Sequence, residues 1–152
     1  MAKKKRIYVD ADSCPVKEEI IMISEEFEAE VIFVTSYSHW GIGSERTKTV
    51  LVDNQKEAVD MYIVNHVKAN DIVVTQDYAL ASILLPRKSD VLSPRGVIYT
   101  EEKMNSLLEQ RYVSQKQRRA GHKTKGPRKF TNEDRAMFCH SFRNFFKKEE
   151  GF

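Results

Sequence analysis

Apolar residues along this chain occur in two different patterns. Short runs rich in Val, Ile and Tyr, such as residues 6–10 and 72–75, predict buried strands. Between such runs, apolar residues recur every three or four positions, as at Val16, Ile20 and Ile23, which is the spacing of one helix face. Strands that alternate with helices favour a parallel sheet covered on both faces, so the predicted fold is a three-layer α/β domain. The predicted strands are 6–10, 31–35, 49–53, 72–75, 91–92 and 97–99, and the predicted helices are 16–27, 56–68, 78–85, 101–118 and the segment after Thr131.

The pattern divides the chain into one α/β domain and a C-terminal extension. The length of 152 residues and the hydrophobic content of 41% suit a single domain with a substantial core. Residues 1–118 form the predicted α/β domain, residues 119–130 a basic Gly- and Pro-containing linker, and residues 131–152 a helix that packs on the same domain. No apolar run approaches the ~18 residues of a membrane span. The expected location is the cytoplasm with no membrane contact, and the oligomeric state is left open, a homodimer included.

Two aspartates lie at the end of the first predicted strand. Asp10 is its last residue and Asp12 follows two positions later. In open α/β sheets, ligands bind beyond the carboxyl ends of the strands. Two carboxylates there repel each other unless a cation joins them, which predicts a hard divalent metal, Mg²⁺ or Mn²⁺, with oxygen ligands. Loop and capping roles are the alternative for both residues.

Two further aspartates are expected at the same end of the sheet. Asp77 follows the strand at 72–75, although it is equally typical of the N-cap of the next helix. Asp60 has apolar neighbours three, four and seven positions ahead, which places its carboxylate at the edge of a buried stripe, where an unpaired charge is costly. Four such carboxylates suit metal-assisted hydrolysis of a phosphodiester, with Asp60 completing the site or orienting a water. The predicted catalytic residues are Asp10, Asp12, Asp60 and Asp77, and the predicted metal ligands are Asp10, Asp12 and Asp77.

A basic segment precedes the last predicted helix. Residues 110–132 contain eight Lys and Arg side chains and no acid, and since the whole chain has a net charge of +3, the remainder has a net charge of −5. A polyanionic partner, RNA or DNA, is one interpretation, and a solvated helix end and linker is the other. Ser13, Thr75 and Arg95 are well placed for phosphate contacts but are equally typical of caps and turns. The predicted phosphate-binding or nucleic-acid-binding residues are Ser13, Thr75, Arg95, Lys123, Lys125, Arg128 and Lys129.

Two alternatives compete with a metal-dependent nuclease. Asp-x-Asp after a first strand also opens haloacid-dehalogenase-like phosphatases, in which Asp10 would be the nucleophile and Asp12 the general acid. The following Ser-Cys-Pro fits that pattern poorly, and the later acidic pair is missing because Asp71 and Asp77 lie at opposite ends of one strand. The other alternative is a non-catalytic nucleic-acid-binding protein of the same fold.

The motifs that hold these residues resemble those of a known family. The opening VDADSCPV at residues 9–16 resembles that of the YaiI/YqxD family of bacterial proteins, whose function is unassigned. The likeness continues through Asp60, residues 71–77, residues 94–96 and residues 134–135.

This resemblance implies a PIN-like fold, and PIN-like domains are typically Mg²⁺- or Mn²⁺-dependent nucleases. Their acids lie at strand ends and on an adjoining helix. The chain departs from the family pattern at two places. Ser93 stands where Asn is common, and the region around Gly126 and Pro127 is unusually basic, so its lysines take no role from the family. The positions of this chain that match the acids of PIN-like domains are Asp10, Asp12, Asp60 and Asp77.

Overall fold

A parallel sheet with helices on both sides forms the frame of the protein. The computed structural model describes residues 5–36, 47–55, 57–119 and 129–149. Short 3-10 turns follow the first strand at Ala11–Ser13 and the third helix at Leu85–Arg87. The strands are β1 Arg6–Asp10, β2 Glu30–Thr35, β3 Thr47–Leu51, β4 Ile72–Val74 and β5 Asp90–Leu92, and the helices are α1 Lys17–Glu26, α2 Ala58–His66, α3 Tyr78–Leu84, α4 Glu101–Arg119 and α5 Asn132–Glu149.

All five strands are parallel and are ordered β3-β2-β1-β4-β5. β1 lies at the centre, where Val9 is paired with Phe33 of β2 on one side and with Val74 of β4 on the other. The chain moves outward from β1 to β2 and β3, then crosses back to β4 and outward again to β5. The direction of winding therefore reverses between β1 and β4, and in open α/β sheets this is where a crevice forms for ligands.

Alternating side chains of the strands fill two hydrophobic cores, one on each face of the sheet. Ile7 and Val9 of β1 face the core closed by α1 and α5. Tyr8, between them, faces the opposite core, which α2, α3 and α4 close. The predicted three-layer α/β architecture is therefore confirmed. On α5, the side chains of Phe138, Phe142, Phe145 and Phe146 are buried in the core on the α1 side of the sheet.

Several predicted element bounds are wrong in detail. The third strand begins and ends two residues earlier than predicted, and residues 97–99 form only an isolated antiparallel bridge from Ile98 to Leu92. Ser13 does not cap α1, since that helix begins at Lys17. Cys14 is extended, as expected for a residue that precedes a proline, so the helix cannot begin before Pro15. In the described part of the chain, no helix is both long enough and apolar enough to cross a membrane.

Candidate functional site

The side chain of Asp10 lies at the crevice between β1 and β4. Because strand side chains alternate, Asp10 lies on the same face as Tyr8, which is the face covered by α2 and α3. Thr75, the first residue after β4, donates a hydrogen bond from its Oγ1 to Oδ2 of Asp10 at 3.1 Å. Burial raises the pKa of Asp10, and the negative charges of Asp12 and Asp77 raise it further, against the lowering effect of the Thr75 hydrogen bond.

Asp77 caps the first turn of α3. Its Oδ1 accepts hydrogen bonds from the backbone N–H groups of Ala79 at 2.9 Å and Leu80 at 3.2 Å. Its own backbone N–H donates to Oγ1 of Thr75 at 3.0 Å, so the same hydroxyl connects Asp77 to Asp10. The N-cap role that the sequence left open is confirmed, and it positions this carboxylate at the crevice.

Asp60 lies in the first turn of α2, and its carboxyl group contacts that of Asp77 at the start of α3. Burial, a hydrogen bond between the two carboxyl groups and the negative charges of Asp77 and Asp10 raise the pKa of Asp60 to about 7. At neutral pH the Asp60 carboxyl is therefore protonated in a large fraction of the molecules. Asp10, Asp60 and Asp77, hereafter the carboxylate site, lie at one end of the sheet, as the sequence predicted.

Asp12 is bonded in a different direction. It accepts hydrogen bonds from Thr35 Oγ1 at 2.5 Å, from the Ser36 N–H at 3.0 Å and from Ser36 Oγ at 2.6 Å, all at the carboxyl end of β2. Burial alone would raise its pKa, but these bonds outweigh burial and lower it below its ordinary value. Asp12 thus connects the ends of β1 and β2 and influences Asp10 through its charge. The polar pair at the end of β2 was the sequence signal for this arrangement, and sequence reasoning did not use it.

A closed metal cage is not found at this site. Among residues 5–36, 47–55, 57–119 and 129–149, no group of three or more His, Cys, Asp or Glu side chains has an arrangement that could hold a metal ion. One oxygen of Asp77 is engaged in the cap, and both oxygens of Asp12 are engaged by β2. The oxygens that remain for a ligand belong mainly to Asp10 and Asp60, together with the second oxygen of Asp77.

Arg95 is engaged in docking α5. Its Nη1 lies 2.8 Å from Oδ2 of Asp134, and its guanidinium lies over the Phe130 ring at 5.6 Å from the centroid. Asp134 also accepts from the Thr131 N–H at 3.0 Å, while Thr131 Oγ1 accepts from the Asp134 N–H at 3.2 Å, which is a reciprocal cap at the start of α5. Arg95 would therefore bind a phosphate, as the sequence predicts, only while it is also paired with Asp134.

The other predicted phosphate-binding residues are spread over the chain. Ser13 lies in the 3-10 turn beyond β1, and Thr75 bridges Asp10 and Asp77 as described above. Lys129 is exposed just before α5. Three predicted residues lie outside the described part of the chain: Lys123, Lys125 and Arg128.

The comparisons with known proteins agree with the resemblance seen in the motifs. A family model described as "Uncharacterized BCR, YaiI/YqxD family" matches residues 8–148. A UPF0178 protein from Shouchella clausii is 52% identical over 135 residues, which cover 89% of this chain and 88% of the relative. A UPF0178 protein from Halalkalibacterium halodurans is 48% identical over 145 residues, which cover 95% and 92%, and one from Bacillus velezensis is 47% identical over 150 residues, which cover 98% and 89%.

No solved structure matches the chain, so the PIN-like assignment stays a prediction. The family model and the relatives extend over nearly the whole chain, the carboxylate site included. The chain belongs to the YaiI/YqxD family.

Proposed function

We propose that this protein is a divalent-cation-dependent nuclease that hydrolyses phosphodiester bonds of RNA or DNA at the carboxylate site. The observation that supports this most strongly is the convergence of the Asp10, Asp60 and Asp77 carboxyl groups, where burial and the neighbouring charges raise the pKa of Asp60 to about 7, so that it retains a proton near neutral pH. Three carboxylates at a crevice hold more negative charge than they can keep ionised at neutral pH without a cation. A cation that displaces this proton would relieve the repulsion.

The donor chemistry of the site fits Mg²⁺ or Mn²⁺. Both ions prefer oxygen ligands, and Mg²⁺ typically takes one or two carboxylates, several waters and the phosphates of a substrate. Asp10 and Asp77 would hold the ion, and the substrate would complete its ligand shell. A site of this kind needs no closed protein cage. When bound, the cation would activate water and stabilise charge on the phosphate oxygens.

Each nearby side chain has a distinct task in this proposal. Asp60, which would lose its proton when the cation binds, would be placed to accept a proton from the attacking water. Thr75 fixes the orientation of Asp10 through its hydroxyl and that of Asp77 through the backbone. Asp12 holds the neighbouring strand end in place through Thr35 and Ser36.

The geometry around Asp12 favours this proposal over the phosphatase alternative. A general acid must hold a proton at neutral pH, which requires a raised pKa. The hydrogen bonds from Ser36 and Thr35 lower the pKa of Asp12 instead and engage both of its oxygens.

Titration of Mn²⁺ by calorimetry tests the site, in the absence and presence of a short uncleavable oligonucleotide. We expect Asp10→Asn and Asp77→Asn to abolish or strongly weaken Mn²⁺ binding. Asn is as good an N-cap as Asp, so Asp77→Asn removes the charge while keeping the cap of α3. Asp53→Asn is the matched control, because Asp53 is an exposed aspartate that follows β3 at the same end of the sheet. Equal Mn²⁺ binding by all four proteins would exclude this location for the metal.

Cleavage assays test the activity itself. We expect Asp10→Asn to abolish Mn²⁺-dependent cleavage of RNA or DNA, while nucleic-acid binding is unchanged or stronger because one repulsive charge is gone. Addition of EDTA to the wild-type protein should have the same effect as the substitution. Unchanged cleavage by Asp10→Asn would contradict the assignment of the site, and salt-dependent binding without any cleavage by the wild-type protein would favour a non-catalytic nucleic-acid-binding role.

A further inference from the structure

A groove of about 650 Å³ lies between α2 and α3 and is continuous with the carboxylate site. Asp60 and Asp77 line both the groove and that site. On α2, the lining continues through Met61, Val64 and Asn65. Val64 lies one turn after Asp60 and Asn65 one turn after Met61, so these side chains form two adjacent rows along the helix. The opposite wall comes from α3, where Leu80 and Ile83 are the large apolar side chains.

The apolar side chains that line this groove are accessible to a ligand. Met61 is 61% exposed and Ile83 is 49% exposed, and both line the groove. Single exposed apolar side chains are common on protein surfaces, but a pair that lines a concave surface beside a polar site is typical of ligand pockets.

The charges of the groove exclude a phosphate from it. Its ionisable lining residues are the acids Glu57, Asp60 and Asp77, and no Lys or Arg is among the described residues that line it. The part of a ligand that enters is therefore not anionic, and the exposed side chains of Met61 and Ile83 favour apolar faces on it. Asn65, five residues beyond Asp60 and thus about 7.5 Å further along α2, offers both a donor and an acceptor for a polar edge. A nucleobase has this combination of apolar faces and a hydrogen-bonding edge.

We propose that the groove between α2 and α3 binds a base of the nucleic-acid substrate next to the phosphate at the carboxylate site. This rests on the proposed function and adds to it the class of substrate. A base can enter a groove only when it is unstacked and unpaired, so the substrate is single-stranded or locally open. Met61 is flexible and unbranched, so the groove admits different bases with little selection among them.

The experiment compares two fluorescent single-stranded phosphorothioate oligonucleotides of equal length, one with bases and one abasic throughout, by anisotropy in Mn²⁺. Their charges are equal, so phosphate contacts contribute equally to both. We expect the oligonucleotide with bases to bind wild-type protein about tenfold more tightly, within the range measured for base contacts in other single-strand-binding proteins. In Met61→Ala/Ile83→Ala, affinity for this oligonucleotide should fall about fivefold, with affinity for the abasic one unchanged.

A control variant removes two apolar side chains of similar exposure elsewhere. Met22 on α1 is 51% exposed and Val113 on α4 is 45% exposed, and neither lines the groove. Met22→Ala/Val113→Ala should bind both oligonucleotides like wild type. Thermal melting of every variant establishes that each is folded, which is expected since all four positions are exposed.

The outcomes separate this inference from the proposed function. Equal wild-type affinity for the two oligonucleotides, together with Mn²⁺-dependent cleavage, would overturn the base-binding groove and leave the nuclease in place. A preference for bases that Met61→Ala/Ile83→Ala does not reduce would also overturn the groove. A preference that this variant does reduce, without any cleavage, would support the groove in a protein that only binds nucleic acid. Absence of binding to either oligonucleotide, together with absence of cleavage, would overturn both proposals.

Discussion

The pKa of the Asp60 carboxyl group reflects the negative charge of the whole carboxylate site. Its pKa of about 7 results from burial first and then from Asp77 and Asp10. The ordinary pKa of the group in an unfolded chain is 3.8, so the folded protein binds more protons than the unfolded chain between about pH 4 and pH 7. Protonated Asp60 therefore contributes its full stabilisation of the fold below about pH 4. This contribution falls as the pH rises above about 4 and is lost once the pH passes about 7.

Replacement of Asp60 by Asn should therefore stabilise the metal-free protein in a pH-dependent way. An amide keeps the polar contact with Asp77 and cannot ionise, so we expect a melting temperature a few degrees above wild type at pH 8 and a smaller difference at pH 5. Differential scanning fluorimetry in EDTA measures the melting temperatures of wild type and variant at pH 5 and pH 8. Asp53→Asn is the control for the general loss of one negative charge. A difference of the same size at both pH values would contradict the assigned shift.

At the scale of elements, the docking of α5 depends on a turn that directly follows β5. Gly96 in this turn has φ +87°, and a Cβ added there would lie 2.6 Å from the backbone carbon of Met137 on α5. The carbonyl oxygen of Gly96 accepts a buried hydrogen bond from Ser141 Oγ at 2.8 Å. The ion pair between Arg95 and Asp134 lies beside this contact. A conformation that favours glycine and a close approach of two backbones therefore coincide at one position.

Gly96→Ala should separate α5 from the sheet and destabilise the protein. The unfavourable φ and the collision with Met137 each cost on the order of 1–3 kcal/mol. We expect the free energy of unfolding to fall by about 3 kcal/mol, which corresponds to roughly 10 °C in melting temperature. Val97→Ala, at the exposed neighbouring position, is the matched control and should change stability little. Chemical denaturation monitored by circular dichroism gives the comparison, and a Gly96→Ala variant as stable as this control would contradict the proposed close packing.

The elements that the sequence predicted well are those with a strong apolar period. β1, β4 and the phenylalanine face of α5 bury their apolar residues in the sheet cores, and a buried run or stripe has few other structures available. Residues 97–99 have a similar composition, but they form only the single antiparallel bridge from Ile98 to Leu92. Local propensity is decided there by tertiary contacts.

The candidate site was predictable in position but only partly in detail. Parallel strands end at one edge, so Asp10 and Asp77 could be placed there from the sequence alone. The direction of the Asp12 carboxylate could not be predicted, because it depends on Thr35 and Ser36 at the end of a strand more than twenty residues away. The groove beside Asp60 requires the relative placement of two helices, which a one-dimensional pattern does not contain.

At the scale of the whole molecule, opposite charges are separated along the chain. The basic segment at residues 110–132 holds eight positive charges, while the rest of the chain has a net charge of −5. An acidic crevice alone repels nucleic acid, so a nuclease built around it needs cationic groups elsewhere to attract the phosphate backbone. In the proposed function, the basic segment supplies this attraction and the carboxylate site supplies the chemistry.

Replacement of four cations of the basic segment by Ala should weaken binding to every nucleic-acid sequence and reduce its salt dependence. Removing one cation that binds a phosphate lowers the slope of log K against log salt by about 0.7 for a single strand, so a combined reduction of about 3 is expected if all four side chains bind phosphates. Anisotropy titrations of wild type and variants from low to moderate salt measure it. A slope equal to that of wild type would return the segment to the role of a solvated linker. A control variant in which four exposed lysines outside the segment are replaced should keep the wild-type slope. The four test positions are Lys123, Lys125, Arg128 and Lys129, and the four control positions are Lys68, Lys88, Lys103 and Lys147.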